Sequence, residues 1–171
     1  ITDALEADKV AGGGVFVHFD NISGKKAEVY VDTEVHNSGK RTRTVAVETV
    51  LADAGDVPVK RVSQQVKLQA GESKTVRQQF AVRNPKLWSP DSPYLYRIQS
   101  RVKAGHEVLD GGVTRVGIRK AEFKGKDGFW LNGKPFGQLV GANRHQDFAY
   151  VGNALPNSQQ WRDAKRLRDA G

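Results

Sequence analysis

The run from Lys26 to His36 alternates without a break, and nothing else in the chain constrains the fold as strongly. Ala27, Val29, Val31, Thr33 and Val35 share one side of an extended chain; Glu28, Tyr30, Asp32, Glu34 and His36 share the other. A period of two with one apolar side is the pattern of a strand that buries one face. Asn37-Ser38-Gly39-Lys40 supplies a turn. Thr42 to Ala52 is read as the next strand, with Val45, Val47, Thr49 and Leu51 inward, and Ala54-Gly55-Asp56 ends it. Val62 to Leu68, Thr75 to Val82, Tyr94 to Lys103 and Glu107 to Ile118 follow, each closed by a Gly-containing or polar turn. Short strands at regular spacing with no helical period predict an all-β sandwich, and the span is near the ~100 residues of an immunoglobulin-like module.

The stretch from Asn84 to Tyr96 holds Pro85, Pro90 and Pro93, which exclude a central strand and favour a rigid crossing segment. Trp88 inside it has two readings: a plug at one end of the sandwich, or a platform for a sugar ring. The flanking prolines favour the plug.

After Lys120 the pattern changes. Asn132-Gly133 is a two-residue hairpin signal, so Phe129-Trp130-Leu131 should pair with Lys134-Pro135-Phe136. Gln138 to Ala142 is read as a short strand and Asp147 to Leu155 as a loop. Asn157, with Gln160 three residues on, resembles a variant capping box. Trp161, Ala164, Leu167 and Ala170 recur at helical spacing, and Gly171 sits where a terminating glycine belongs. Hairpin, short strand, loop and amphipathic helix read as the first β/α unit of a truncated TIM barrel, because a closed barrel needs eight strands and about 250 residues. The domain reading is a sandwich over 1–119 and an incomplete barrel over 120–171.

Composition removes other classes. No apolar run approaches the ~18 residues that read as a membrane helix. There is no cysteine, so disulfides and thiolate metal sites are excluded. Ile1-Thr2-Asp3-Ala4 reads as an internal or processed start. The formal net charge is +8. Its lysines and arginines are scattered along the chain, and the densest group, Arg162, Lys165, Arg166 and Arg168, has no aromatic neighbour for bases. A solvated basic surface is expected, not nucleic-acid binding. Gly12-Gly13-Gly14 lacks the Lys-Ser/Thr of a phosphate loop and reads as a flexible start to a strand. No spacing of His, Asp and Glu suggests a metal site. His18, His36 and His106 read as solvated. Asp163 and Asp169 read as ordinary surface ion pairs on the helix.

The segment Gly141-Ala142-Asn143-Arg144-His145-Gln146-Asp147 is the best candidate for chemistry, because a polar, ionisable cluster directly after a short strand is where β/α folds place their sites. Taken alone, His145 reads more readily as a loop cap or an internal hydrogen-bond partner than as a site residue.

LWSPDSPYLY, GVTRVGIRKAEF, GFWLNGKPF, GANRHQDF and WRDAKRLRDAG occur in that order over residues 84 to 171. In this the chain resembles the central part of a glycoside hydrolase of family two, the family of β-galactosidases, β-glucuronidases and β-mannosidases. The resemblance implies an upstream sugar-binding domain, a downstream catalytic barrel and a carbohydrate substrate; for this chain itself no cofactor is expected, and magnesium or sodium elsewhere in the full enzyme stays open. It implies that His145 helps hold the glycosyl unit, with Arg144 and Asn143 supporting neighbouring polar groups and Asp147 beside them. Arg144 before His145 leans towards β-galactosides; Gln146 departs from the acidic residue common there, leaving β-glucuronides and β-mannosides open. The two catalytic glutamates would lie beyond Gly171, so the chain alone should not hydrolyse glycosides. Such sandwich domains often serve in oligomer contacts, so a homo-oligomer is open. The alternative is a free-standing immunoglobulin-like carbohydrate-binding or adhesion module. In that case the tail should be as protected from exchange as the sandwich.

Overall fold

The alternation of Lys26–His36 (β2) is realised in full: its apolar side is buried and its polar side is not. The computed structural model describes residues 14–139, 141, 143–145 and 147–170. β2 lies between β1 (Val15–Asp20) and β5 (Ser73–Arg83), antiparallel to both. A second sheet has the order β4-β3-β6-β7, built from β3 (Arg43–Ala52), β4 (Pro58–Leu68), β6 (Tyr96–Ala104) and β7 (Glu107–Val116). The two sheets face each other as an immunoglobulin-like sandwich. β4 pairs with β3, whereas in the constant-type immunoglobulin arrangement the fourth strand stays with the fifth. Gly12 and Gly13 lie outside the described residues.

The core has two apolar clusters. One gathers Val29, Val31, Leu51, Phe80, Tyr96 and Ile98; the other gathers Val35, Val45, Val47, Leu68, Val76 and Val102. Buried polar residues also lie inside, among them Thr49 and Gln78. Thr49 Oγ1 donates to Gln78 Oε1 at 2.5 Å, and Gln78 Nε2 donates to the Val47 carbonyl at 2.9 Å. The two bonds link β3 and β5 in opposite directions, so they fix how one sheet sits over the other. Such buried bonds contribute about 1 kcal/mol each, but cost more than that when one partner is left unmatched.

β6 starts at Tyr96 instead of Tyr94 and β7 ends at Val116 instead of Ile118; β3 and β4 depart further from the sequence reading. β4 begins at Pro58, four residues before Val62, because Thr49 to Ala52 of β3 continue to pair with it across an irregularity at Leu51/Ala52. Pro58 is tolerated as the first residue of an edge strand. β3 is buried on both sides from Val47 onward, since Glu48 and Val50 on its outer side lie beneath the long side chains of Arg61, Gln99 and Arg101 on β4 and β6.

Trp88 occupies a corner. Its N–H donates to the Ile118 carbonyl at 2.8 Å, and its own carbonyl accepts from Asn132 Nδ2 at 3.0 Å. The Arg119 guanidinium lies 5.0 Å from the ring centroid. A Cβ on Gly117 would stand 2.9 Å from three Trp88 side-chain atoms. These contacts hold Trp88 half-buried against Gly117 and Arg119, outside both core clusters.

Asn132 also sits in the expected hairpin of β9 (Phe129–Leu131) and β10 (Lys134–Gly137), with β8 (Ala121–Phe123) on the other side of β9. Asn132 and Gly133 have φ of 52° and 79°, the doubly positive pair that a type I′ turn requires.

The chain divides into two compact units, one ending at Gln138 and one running from Leu139. In the second, Leu139 and Gly141 lie outside any strand, as does Gln138 before them; Val140 and Ala142 are not among the described residues. The short strand expected at 138–142 is therefore not formed by its described residues. A barrel strand gets its hydrogen bonds from neighbouring strands, and the second unit has none among its described residues. Its one helix, α1 (Asn157–Asp169), is capped by Pro156 without a side-chain hydrogen bond, not by a box on Asn157. Gly171 lies outside the described residues, and Ala170 is the C-cap.

Candidate functional site

Arg144 follows the loop start and is the best-anchored residue of the candidate segment. Its Nε and Nη2 donate to Asp163 Oδ2 at 3.0 and 2.6 Å, and its Nη1 donates to Gln160 Oε1. Gln159 Nε2 donates to the other carboxylate oxygen of Asp163 at 3.0 Å. Gln159, Gln160 and Asp163 stand three and four residues apart on α1, which puts them on one helix face. The Arg144 and Asp163 side chains are 25% and 19% exposed, so the pair is partly shielded from water. Charge-assisted bonds of this kind are about twice as strong as neutral ones. The capping box fails for the same reason: the Gln160 side chain is spent on Arg144.

Asn143, His145 and Asp147 are exposed. The segment 143–145 thus has one residue tied to the helix and its neighbours open to solvent. A side chain that meets a polar substrate needs that exposure, and a fixed neighbour lowers the entropy lost on engaging it. The loop that follows closes through a bridge between Phe148 and Gly152. Trp161 and Leu167 of α1 are 67% and 48% exposed, and the helix buries no residue.

Of the two helix carboxylates, Asp169 makes the expected i,i+4 pair with Lys165 at 2.5 Å. Asp163 does not: its partner Arg144 lies 19 residues earlier. Sequence reading missed this link because nothing local marks it. Glycoside hydrolysis with retention needs two free carboxyl groups about 5–5.5 Å apart. Asp163 is committed to a guanidinium, which leaves Asp147 as the open acid of the segment. Among the described residues no cluster of His, Asp and Glu could hold a metal ion, and no helix is long and apolar enough to cross a membrane.

His36 and His106 are exposed, as expected. His18 is not simply solvated. It stacks on Tyr30 with centroids 4.8 Å apart and planes 6° from parallel, and on Phe16 at 5.5 Å. Its register partner on β2 is Tyr30, so the stack follows from strand pairing. Nearby, Arg77 grips Asp32 with two bonds of 2.7 and 2.6 Å and holds its carboxyl below the usual carboxylate range.

Known proteins extend the comparison. Residues 14–119 match the family model described as glycosyl hydrolases family 2. A β-galactosidase of Thermoanaerobacter pseudethanolicus is 34% identical over 159 residues, 90% of this chain and 20% of that protein. A β-glucuronidase of Formosa agariphila is 29% identical over 96% of this chain and 17% of its own length. The crystal structure of a family 2 member from Bacteroides cellulosilyticus DSM 14838 superposes with a TM-score of 0.87 at 34% identity, covering 92% of this chain and 22% of that one. The chain spans about a fifth of the length of these relatives. The match of family model, sequence and fold shows that the chain belongs to glycosyl hydrolase family 2.

Proposed function

We propose that the chain is the central part of a longer exo-glycosidase that removes terminal β-linked sugars. Residues 1–119 form the sandwich that braces it, and residues 120–171 begin its catalytic (β/α)8 barrel. His145 helps seat the glycosyl unit, Asn143 and Asp147 line the same wall, and Arg144 holds the segment by gripping Asp163 and Gln160 on α1. The reacting carboxylates lie outside the chain, which hydrolyses nothing alone; turnover of an aryl β-galactoside by the purified 171-residue chain would sink that point. The observation that carries the reading is that similarity to β-galactosidases runs past the sandwich into this segment, over 90% of the chain.

A β-galactoside is the favoured substrate, since Arg144 precedes His145. A β-glucuronide is the second reading, favoured by a β-glucuronidase that matches 96% of the chain. The test replaces the matching segment of the Thermoanaerobacter β-galactosidase with this chain. The chimera should cleave aryl β-galactosides, and His145→Ala should raise KM and lower kcat. A folded, active chimera indifferent to His145→Ala would refute the assignment, and a preference for aryl β-glucuronides would select the second substrate.

A further inference from the structure

The charge of +8 is not spread evenly over the sandwich. Strand register puts Lys67 and Arg61 of β4, Arg97, Arg101 and Lys103 of β6, and Arg115 of β7 on the outer face of the four-stranded sheet. Against these six cations stand Glu48 and, at the turn beside β4, Asp56, which pairs with Arg97. The opposite outer face, on β1-β2-β5, carries Asp20, Glu28, Asp32 and Glu34 with Lys26, Arg77 and Arg83. The sandwich therefore has one strongly basic face and one that is close to balanced.

Glu48 organises the basic face. It is 7% exposed, at the centre of the sheet. Arg61 Nη1 lies 3.1 Å from its Oε2, Lys103 Nζ 3.8 Å from the same oxygen, and Arg101 Nη1 3.7 Å from Oε1. One carboxylate cannot balance three cations, so the group keeps a net positive charge while its long side chains are partly ordered. The Arg61 and Arg101 side chains remain 58% and 43% exposed. Guanidinium forks match carboxylates in geometry, and ordering them in advance reduces the entropy lost on binding. Ser63, Gln65 and Gln99 stand between the cations on the same face and offer hydroxyl and amide partners; no aromatic ring stands there by register to stack on bases.

We propose that this face binds an acidic polysaccharide, its uronate carboxylates engaged by Arg61, Arg101 and Lys103. The choice of a saccharide among polyanions rests on the glycosidase reading; the anionic chemistry rests on the face alone.

The test is affinity electrophoresis of the 171-residue chain in gels containing polygalacturonate, at low and at near-physiological salt. Retardation should weaken with salt. R101Q/K103Q should lower affinity roughly fivefold, since each exposed charge pair is worth a few tenths to 1 kcal/mol. R162Q/R166Q on α1, with the same loss of net charge, should change it less than twofold. E48Q should tighten binding, whereas a purely structural role for Glu48 would loosen it. Should R101Q/K103Q fail to fold, K67Q/R115Q on the same face carries the same expectation. No retardation, equal losses from the sheet and helix pairs, weaker binding by E48Q, or tighter binding to duplex DNA than to polygalacturonate would overturn the proposal. Binding is read without turnover, so an inactive chimera would count against the glycosidase reading and not against the basic face.

Discussion

Gly117→Ala tests the close packing of Gly117 against Trp88. The added methyl would meet the Cβ, Cγ and Cδ1 of Trp88 at 2.9 Å, closer than carbon atoms approach without displacement. The ring has little freedom to retreat. Its backbone is held from both sides by Ile118 and Asn132, and Arg119 covers its face. Overpacking of this kind costs about 1–3 kcal/mol. Taking about 2 kcal/mol, the melting temperature should fall by about 4–8 °C for a chain of this size. Urea unfolding followed by tryptophan fluorescence measures the loss. A double-mutant cycle assigns it: in a Trp88→Leu background, Gly117→Ala should cost at least about 1 kcal/mol less, since residues in contact couple by about 0.5–3 kcal/mol. A stability change within about 0.5 kcal/mol, the range of ordinary surface substitutions, would refute the reasoning and show that the corner is not tightly packed.

Thr49→Val keeps shape but leaves Gln78 Oε1 without its donor across the sheets, so unfolding free energy should drop by about 1–3 kcal/mol with an unchanged m-value. Asp32→Asn tests the acid limb. Its carboxyl is held below the ordinary value by the Arg77 hydrogen bonds, so the pair adds stability above the unfolded value near 3.9. That stability is lost as pH falls through the lower folded value. The gap in urea midpoint between wild type and Asp32→Asn should be widest above about pH 4 and close as the pH falls further. A gap that stays constant down to pH 2.5 would contradict it. Glu28 and Glu72 are lowered in the same direction, by Lys26 and by the Gln69 N–H respectively, so wild type should retain an acid limb even in the variant.

β2 was readable from its residues because it sits inside a sheet with one face on the core, and period two survives where the two environments differ. β3 was readable only on its inner side. Its outer residues Glu48 and Val50 are buried by long side chains of neighbouring strands, and no local pattern reports a partner's reach. The hairpin at Asn132-Gly133 was legible because the φ values it requires select those residues. The second bond network of Asn132, to Trp88 and Lys120, was not legible, since it joins distant segments. The same holds for the candidate site. The segment from Asn143 to Asp147 could be picked out by its polar residues after an apolar run, but the grip of Arg144 on Asp163 spans 19 residues and depends on tertiary structure. The stack of His18 on Tyr30 follows from register, which alternation alone does not provide.

The proposed function divides the labour: a sandwich that folds by itself, and a sugar-seating segment whose helix needs further chain to cover it. Amide hydrogen exchange on the 171-residue chain tests it directly. The central strands β2, β3 and β6 should exchange only through global unfolding, while α1, which buries no residue and exposes Trp161 and Leu167, should exchange orders of magnitude faster. Protection of Asn157–Asp169 equal to that of the sandwich in a monomer would contradict the account and favour a self-sufficient binding module.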